Sequence, residues 1–274
     1  MLLRVFSILC LLCVTAGQLR AADLVYPISV AVAKDGAVYI ADNKLPGIWK
    51  FSGGKLEEFA RASDSNRTPL NAIRCVAVDP QGGVLAADSA LREIFRVEAK
   101  NKFTPLTKGG IGLPSGIAID ADGTIFVSDL ESHAIYKVPA KGGDPVKFAD
   151  VKAPLGLAFD ADKVLWVATR GKDQVVKVAT DGKVTPVVTG RTLQFPQGIA
   201  VGTDKAVYVS DSYGKAIWKI PAGGQPAKWA AEGLKGPLGI AFQGTNLIVA
   251  DPQLPALLSV DPAGKVSSLS GTKP

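Results

Sequence analysis

One pattern occurs six times in this chain, and that repetition constrains the fold more than any other feature. The copies read PISVAVAKDGAVYIAD from Pro27, IRCVAVDPQGGVLAAD from Ile73 and PSGIAIDADGTIFVSD from Pro114. They continue with PLGLAFDADKVLWVAT from Pro154, PQGIAVGTDKAVYVSD from Pro196 and PLGIAFQGTNLIVAD from Pro237. Each is followed by a four-residue run (IWKF, IFRV, IYKV, VVKV, IWKI, LLSV) and then a short closing segment such as LEEFA or VTPVV. The residue that ends the second segment is Asp42, Asp88, Asp129, Thr169, Asp211 and Asp251, at spacings of 46, 41, 40, 42 and 40. A period near 42 residues marks a repeat architecture.

The unit is β. Its apolar runs are short and rich in Val and Ile, and turn pairs such as Asp35-Gly36, Gly82-Gly83 and Asp122-Gly123 separate them. No stretch has the ten or more helix-period residues, free of Gly and Pro, that a helical repeat needs. A four-stranded sheet cannot bury both of its faces alone. Stacking six sheets radially buries them and leaves only short edges. The reading is therefore an all-β chain forming a six-bladed β-propeller of four-stranded antiparallel blades. The expected blades lie at about 26–60, 70–109, 112–150, 152–190, 194–233 and 235–274. The stretch 61–69 accounts for the longer first spacing and is expected as a surface loop; its Asn66-Arg67-Thr68 is formally a glycosylation acceptor, made a poor one by Pro69. Two segments compete to close the ring by supplying an edge strand to the last blade, Asp23 to Tyr26 and Val266 to Leu269.

Residues 1–22 read as a signal peptide. A basic start precedes the 12-residue apolar run Val5–Ala16, too short to span a bilayer, and small residues offer cleavage between Ala16 and Ala22. The expected location is secreted or periplasmic. Cys10 and Cys13 leave with the leader, so Cys75 has no partner and is expected to be a buried, inert thiol. Cleavage takes the formal charge from +6 to +4, too little for a nucleic-acid-binding face. No apolar run reaches the roughly 18 residues of a transmembrane helix. A monomer is predicted.

The repeats resemble NHL repeats. Gly116-Ile117-Ala118-Ile119-Asp120, a second strand ending Val127-Ser128-Asp129, and Ile135-Tyr136-Lys137-Val138 follow that signature, and the match extends over about residues 26–270. The chain is more distantly similar to propellers of the gluconolactonase and regucalcin type and to streptogramin lyases. The resemblance implies a six-bladed propeller but no single activity.

By the convention of such propellers, the turn entering each innermost strand and the loop after each second strand share one face. Two rings of residues are expected there. The first is the middle of the Pro-x-Gly turn: Ile28, Arg74, Ser115, Leu155, Gln197 and Leu238. The second is Asp42, Asp88, Asp129, Thr169, Asp211 and Asp251. An Asp that ends a strand accepts a backbone N–H two residues on and fixes the turn. The alternative is that some of these carboxylates reach the channel mouth. Arg74 and Arg170 form a candidate positive spot for a carboxylate or sugar acid. The candidate binding set is thus Arg74, Ser115, Gln197, Asp42, Asp88, Asp129, Thr169, Arg170, Asp211 and Asp251.

Gluconolactonase-like enzymes hold a divalent cation with acidic and amide side chains in the first ring. Here that ring has no Asp, Glu or Asn, and a hard cation needs several oxygen ligands. Asn71 is the one nearby amide worth checking. The lyases need several histidines, whereas this chain has His133 alone. Asp120-Ala121-Asp122-Gly123 begins like a calcium loop but lacks the terminal Glu and reads as a hairpin turn. No catalytic residue, metal or cofactor is assigned. The expected role is a binding or interaction scaffold for a protein, glycan or small molecule; the alternative is a gluconolactonase-like hydrolase with a divergent site.

Overall fold

The computed structural model describes residues 24–63, 65, 68–99 and 101–270. The expected leader and Asn66-Arg67 of the acceptor site lie outside them. Among the described residues there is no helix, and twenty-four strands form six separate four-stranded antiparallel sheets. Each sheet is four consecutive strands, beginning with Pro27–Val32, Val38–Asp42, Gly47–Ser52 and Lys55–Arg61. The protein is a six-bladed β-propeller, its sheets spanning residues 27–61, 73–105, 114–150, 154–189, 196–230 and 240–270. The last blade takes its outermost strand from Val266–Ser270, so among the described residues no blade is shared between the two ends.

Packing follows from position in the blade. Four of the six second strands, Val38–Asp42, Val84–Asp88, Ile125–Asp129 and Val207–Asp211, are buried at every residue. The outermost strand Lys55–Arg61 is mostly exposed, which confines the open edge to polar chain. Six clusters of buried apolar side chains fill the six gaps between neighbouring blades. The gap between the last blade and the first is closed by Val30, Ile40 and Trp49 against Ile248, Ala250 and Leu257, with Leu24 beside them. Full burial of each such side chain contributes about 1.5–3 kcal/mol, so packing alone can hold the ring closed. The Lys in four of the four-residue runs faces an aromatic residue on the second strand: Lys50 opposite Tyr39, Lys137 opposite Phe126, Lys177 opposite Trp166 and Lys219 opposite Tyr208. The ammonium groups of Lys50, Lys137 and Lys219 lie 5.8, 5.1 and 5.4 Å from those ring centres.

The Pro-x-Gly turn places residues toward the axis. Pro27 pairs with Asp42 and Ser29 with Ala41, so Ile28 is an extra, bulged residue. The same register shift leaves Arg74 unpaired between Ile73 and Cys75, and Ser115 between Pro114 and Gly116. A β-bulge redirects its side chain out of the ladder, here into the channel. The glycine of the motif has a separate cause. A Cβ on Gly156 would lie 2.7 Å from the Gln197 carbonyl oxygen, and one on Gly198 would lie 2.5 Å from that of Leu238. Innermost strands of neighbouring blades touch backbone to backbone there, leaving no room for a side chain.

Candidate functional site

The bulged residues line one axial cavity of about 470 Å³. Its wall includes Ile28, Arg74, Ser115, Leu155, Gln197 and Leu238, one from each blade, so the entire first ring converges. Arg170 also lines it, as do Tyr26, Asn43, Phe195, Tyr213 and Gln253. None of Asp42, Asp88, Asp129, Thr169, Asp211 or Asp251 does, and among the described residues no carboxylate is in the lining.

Those carboxylates are buried beneath the face, occupied with backbone. Asp42 accepts amide N–H bonds from Val25 and Tyr26 on the incoming connector (2.7 and 2.9 Å) and from Lys44 and Leu45 in the following turn (2.9 and 2.8 Å). Asp88, Asp129, Asp211 and Asp251 repeat that arrangement with Ala72, Gly112, Gln194 and Lys235 on their connectors. Each therefore does more than fix a turn: it staples the entry of its blade to the loop after the second strand. Burial disfavours the Asp129 carboxylate. The Leu113 amide, the Ser132 hydroxyl and the Gly112 and Glu131 amides together outweigh it and hold the pKa below the ordinary aspartate value. A lowered folded-state pKa contributes stability that is complete above the unfolded-state value, about 3.9, and is lost as pH falls toward the folded one. The melting temperature is therefore expected to fall on acidification below about pH 4 in wild type, and less steeply in Asp129→Asn.

Blade four departs from the pattern, and the departure explains the single histidine. Thr169 accepts a bond from the Gly171 amide and donates to the Asp173 carbonyl, but it does not reach its connector. The connector amide of Ala153 instead donates to His133 Nδ1 of blade three at 3.2 Å. His133 does not line the cavity. Asn71 donates to the Ser65 carbonyl and Thr68 hydroxyl, both at 2.8 Å, and is also outside the lining. Cys75 lies in the wall, and burial pushes its thiol up to about 12, so it is inert at neutral pH.

Two features were not read from sequence. The Arg170 guanidinium lies 4.0 Å from the Phe195 ring centre, and Phe195 packs against Tyr213 at 4.6 Å. Tyr213 is 66% exposed, the most exposed large apolar side chain among the described residues. Glu93, beginning the third strand of blade two, is buried and accepts bonds from the Leu106, Thr107 and Gly109 amides at 3.0, 2.5 and 2.8 Å. Gln174 ties blade four to Leu193 in the same manner, by bonds of 2.6 and 2.8 Å. A Glu or Gln where the other blades carry Gly or Ala is the only sequence signal for these staples.

The lining decides whether a divalent cation fits. Calcium and its analogues need several oxygen ligands, mostly carboxylates. The wall offers hydroxyls and amides, aliphatic side chains and two arginines. Among the described residues no group of three or more acidic, His or Cys side chains is placed to hold an ion. The donor set does not fit a gluconolactonase-type metal.

Comparison with known proteins agrees with the architecture. Residues 12–196 match the SMP-30/gluconolactonase/LRE-like family, described above as the more distant resemblance. A virginiamycin B lyase of Nocardia farcinica is 29% identical over 168 residues; the match covers 61% of this chain and only 58% of that protein. A gluconolactonase from Xanthomonas campestris superposes with a TM-score of 0.73 at 18% identity, covering 86% of each chain. A catalytically inactive histidine-to-alanine virginiamycin B lyase of Staphylococcus aureus, solved with quinupristin, gives 0.67 at 17% identity, covering 91% of this chain and 85% of that one. A nidogen/laminin complex gives 0.70 at 18%, covering 90% of this chain and 93% of that one. At these identities the superpositions show the fold, while the family match extends over more than half of the sequence. The chain belongs to the SMP-30/gluconolactonase/LRE-like family.

Proposed function

We propose that this protein is an exported, ligand-binding propeller that uses the family's axial cavity without a divalent cation. The observation that carries this reading is the composition of the wall: all six residues of the first ring converge on the cavity, and none is a carboxylate. With Arg74 and Arg170 in the lining, a dication would also meet repulsion. A lyase reading is not favoured either. The related staphylococcal enzyme is inactive when a histidine is replaced, whereas the one histidine here caps a connector amide in a neighbouring loop. The nidogen/laminin neighbour supports the idea that this architecture serves as a binding platform.

The test is hydrolysis of gluconolactone by purified mature protein, with and without added Ca²⁺, Mn²⁺ or Zn²⁺. The expected result is no acceleration over buffer under any condition. Turnover that depends on one of these cations would overturn the reading. Export is tested by N-terminal sequencing of the protein recovered outside the cytoplasm, which is expected to begin between residues 17 and 23.

A further inference from the structure

We infer that the axial cavity takes a small organic carboxylate, with its charged group between Arg74 and Arg170 and its uncharged body on the Leu155, Leu238 and Tyr213 side of the wall. This rests on the ligand-binding reading above and names the chemical class of the ligand.

Three observations converge on it. First, the two arginines are the only charged side chains in the lining, and neither has an ion-pair partner among the described residues. Arg74 donates from Nε to the Ser89 hydroxyl at 3.2 Å, and the Arg170 guanidinium lies over the Phe195 ring. Both contacts orient a guanidinium without neutralising it. Arg170 is exposed as a residue, yet its charged end is crowded. Partial desolvation, and after it the charge of Arg74, hold its pKa below the ordinary arginine value. Two like charges that sense one another across a cavity, with no counter-charge, favour an anion between them. Guanidinium groups also present paired N–H donors matched to a carboxylate.

Second, the surrounding face is basic. The loops after the second strands (43–46, 89–92, 130–133, 170–172, 212–215 and 252–255) carry Lys44, Arg92, Arg170, Lys172 and Lys215. Their one acid, Glu131, is paired with Arg92 at 3.1 Å. A cavity rimmed by one sign of charge concentrates the opposite ion at its mouth.

Third, the rest of the wall suits an apolar or planar body. Ile28, Leu155, Leu238 and Tyr213 supply apolar and aromatic surface, and among the described residues no hydrogen bond occupies the Gln197 side-chain amide. A volume of about 470 Å³ lies within the usual range for small-molecule sites, so the charge sits in a pocket rather than on a flat polyanion-binding surface.

The experiment is calorimetric titration of the mature protein with cinnamate, with its neutral amide cinnamamide, and with acetate, which has the charge but no body. Cinnamate is expected to bind one per chain, at least about tenfold more tightly than either comparison probe. Arg74→Gln and Arg170→Gln should each weaken cinnamate about tenfold and leave cinnamamide unchanged. Melting curves of the unliganded variants establish that they fold. Raising the salt from about 50 mM to about 0.5 M should weaken cinnamate only. Equal affinity for acid and amide, indifference of cinnamate to both substitutions, or no binding of any probe would each overturn the assignment. Cation-dependent lactone turnover would instead overturn the reading on which it rests.

Discussion

Asp42→Ala is expected to destabilise the folded protein by about 4 kcal/mol, measured by urea denaturation. The carboxylate is fully buried and accepts from four backbone amides, those of Val25, Tyr26, Lys44 and Leu45. A hydrogen bond to a charged group contributes about 1.5–3 kcal/mol, and truncation also leaves its part-buried donors without that partner. The four bonds do not add fully, because the connector can relax toward solvent once released. Asp122→Ala is the control. Asp122 is exposed and its side chain accepts no bond, so its loss should fall within about 0.5 kcal/mol. Equal effects at the two positions would show that the Asp ring does not staple the blades.

Gly239→Ala is expected to cost about 3 kcal/mol, with an unchanged dependence on urea. A Cβ there would lie 2.5 Å from Ser29 Cα and 2.8 Å from Val30 N, in the innermost strand of the first blade. Those atoms are backbone in a paired strand and cannot rotate away. The substitution therefore pushes the last blade from the first at the one junction where the chain's two ends meet. The corresponding position in the first blade holds Ser29, whose hydroxyl accepts the Val76 amide at 3.2 Å across to blade two. At this position that junction is bridged by a side chain, whereas at the closing junction Gly239 faces the backbone of Ser29 and Val30 directly. A neutral Gly239→Ala would contradict ring closure by close packing.

The repeat made most of this architecture legible. Strand alternation and turn chemistry are local properties, so six copies reported six blades, and the Pro-x-Gly register identified the six residues that meet at the axis. Other features are joined by the fold. The second ring read as turn-forming Asp residues, but its bonds to connectors 15 to 17 residues upstream depend on the bulge that draws the connector over the carboxylate. Arg170 belongs to blade four and Phe195 and Tyr213 to two loops of blade five, so the arginine meets the aromatic pair only because those blades are neighbours. Thr169 read as a gap in a pattern. What fills the gap is His133 from blade three, and no spacing rule links those two residues.

The central claim is that this cavity works without a metal. Calorimetric titration of chelator-treated mature protein with Ca²⁺, Mn²⁺ and Zn²⁺ tests it most directly. The account predicts no saturable heat and no stoichiometric ion after dialysis, and the same result for Arg74→Gln. One tightly bound ion per wild-type chain, displaced by chelator and seated among the axial residues, would contradict it.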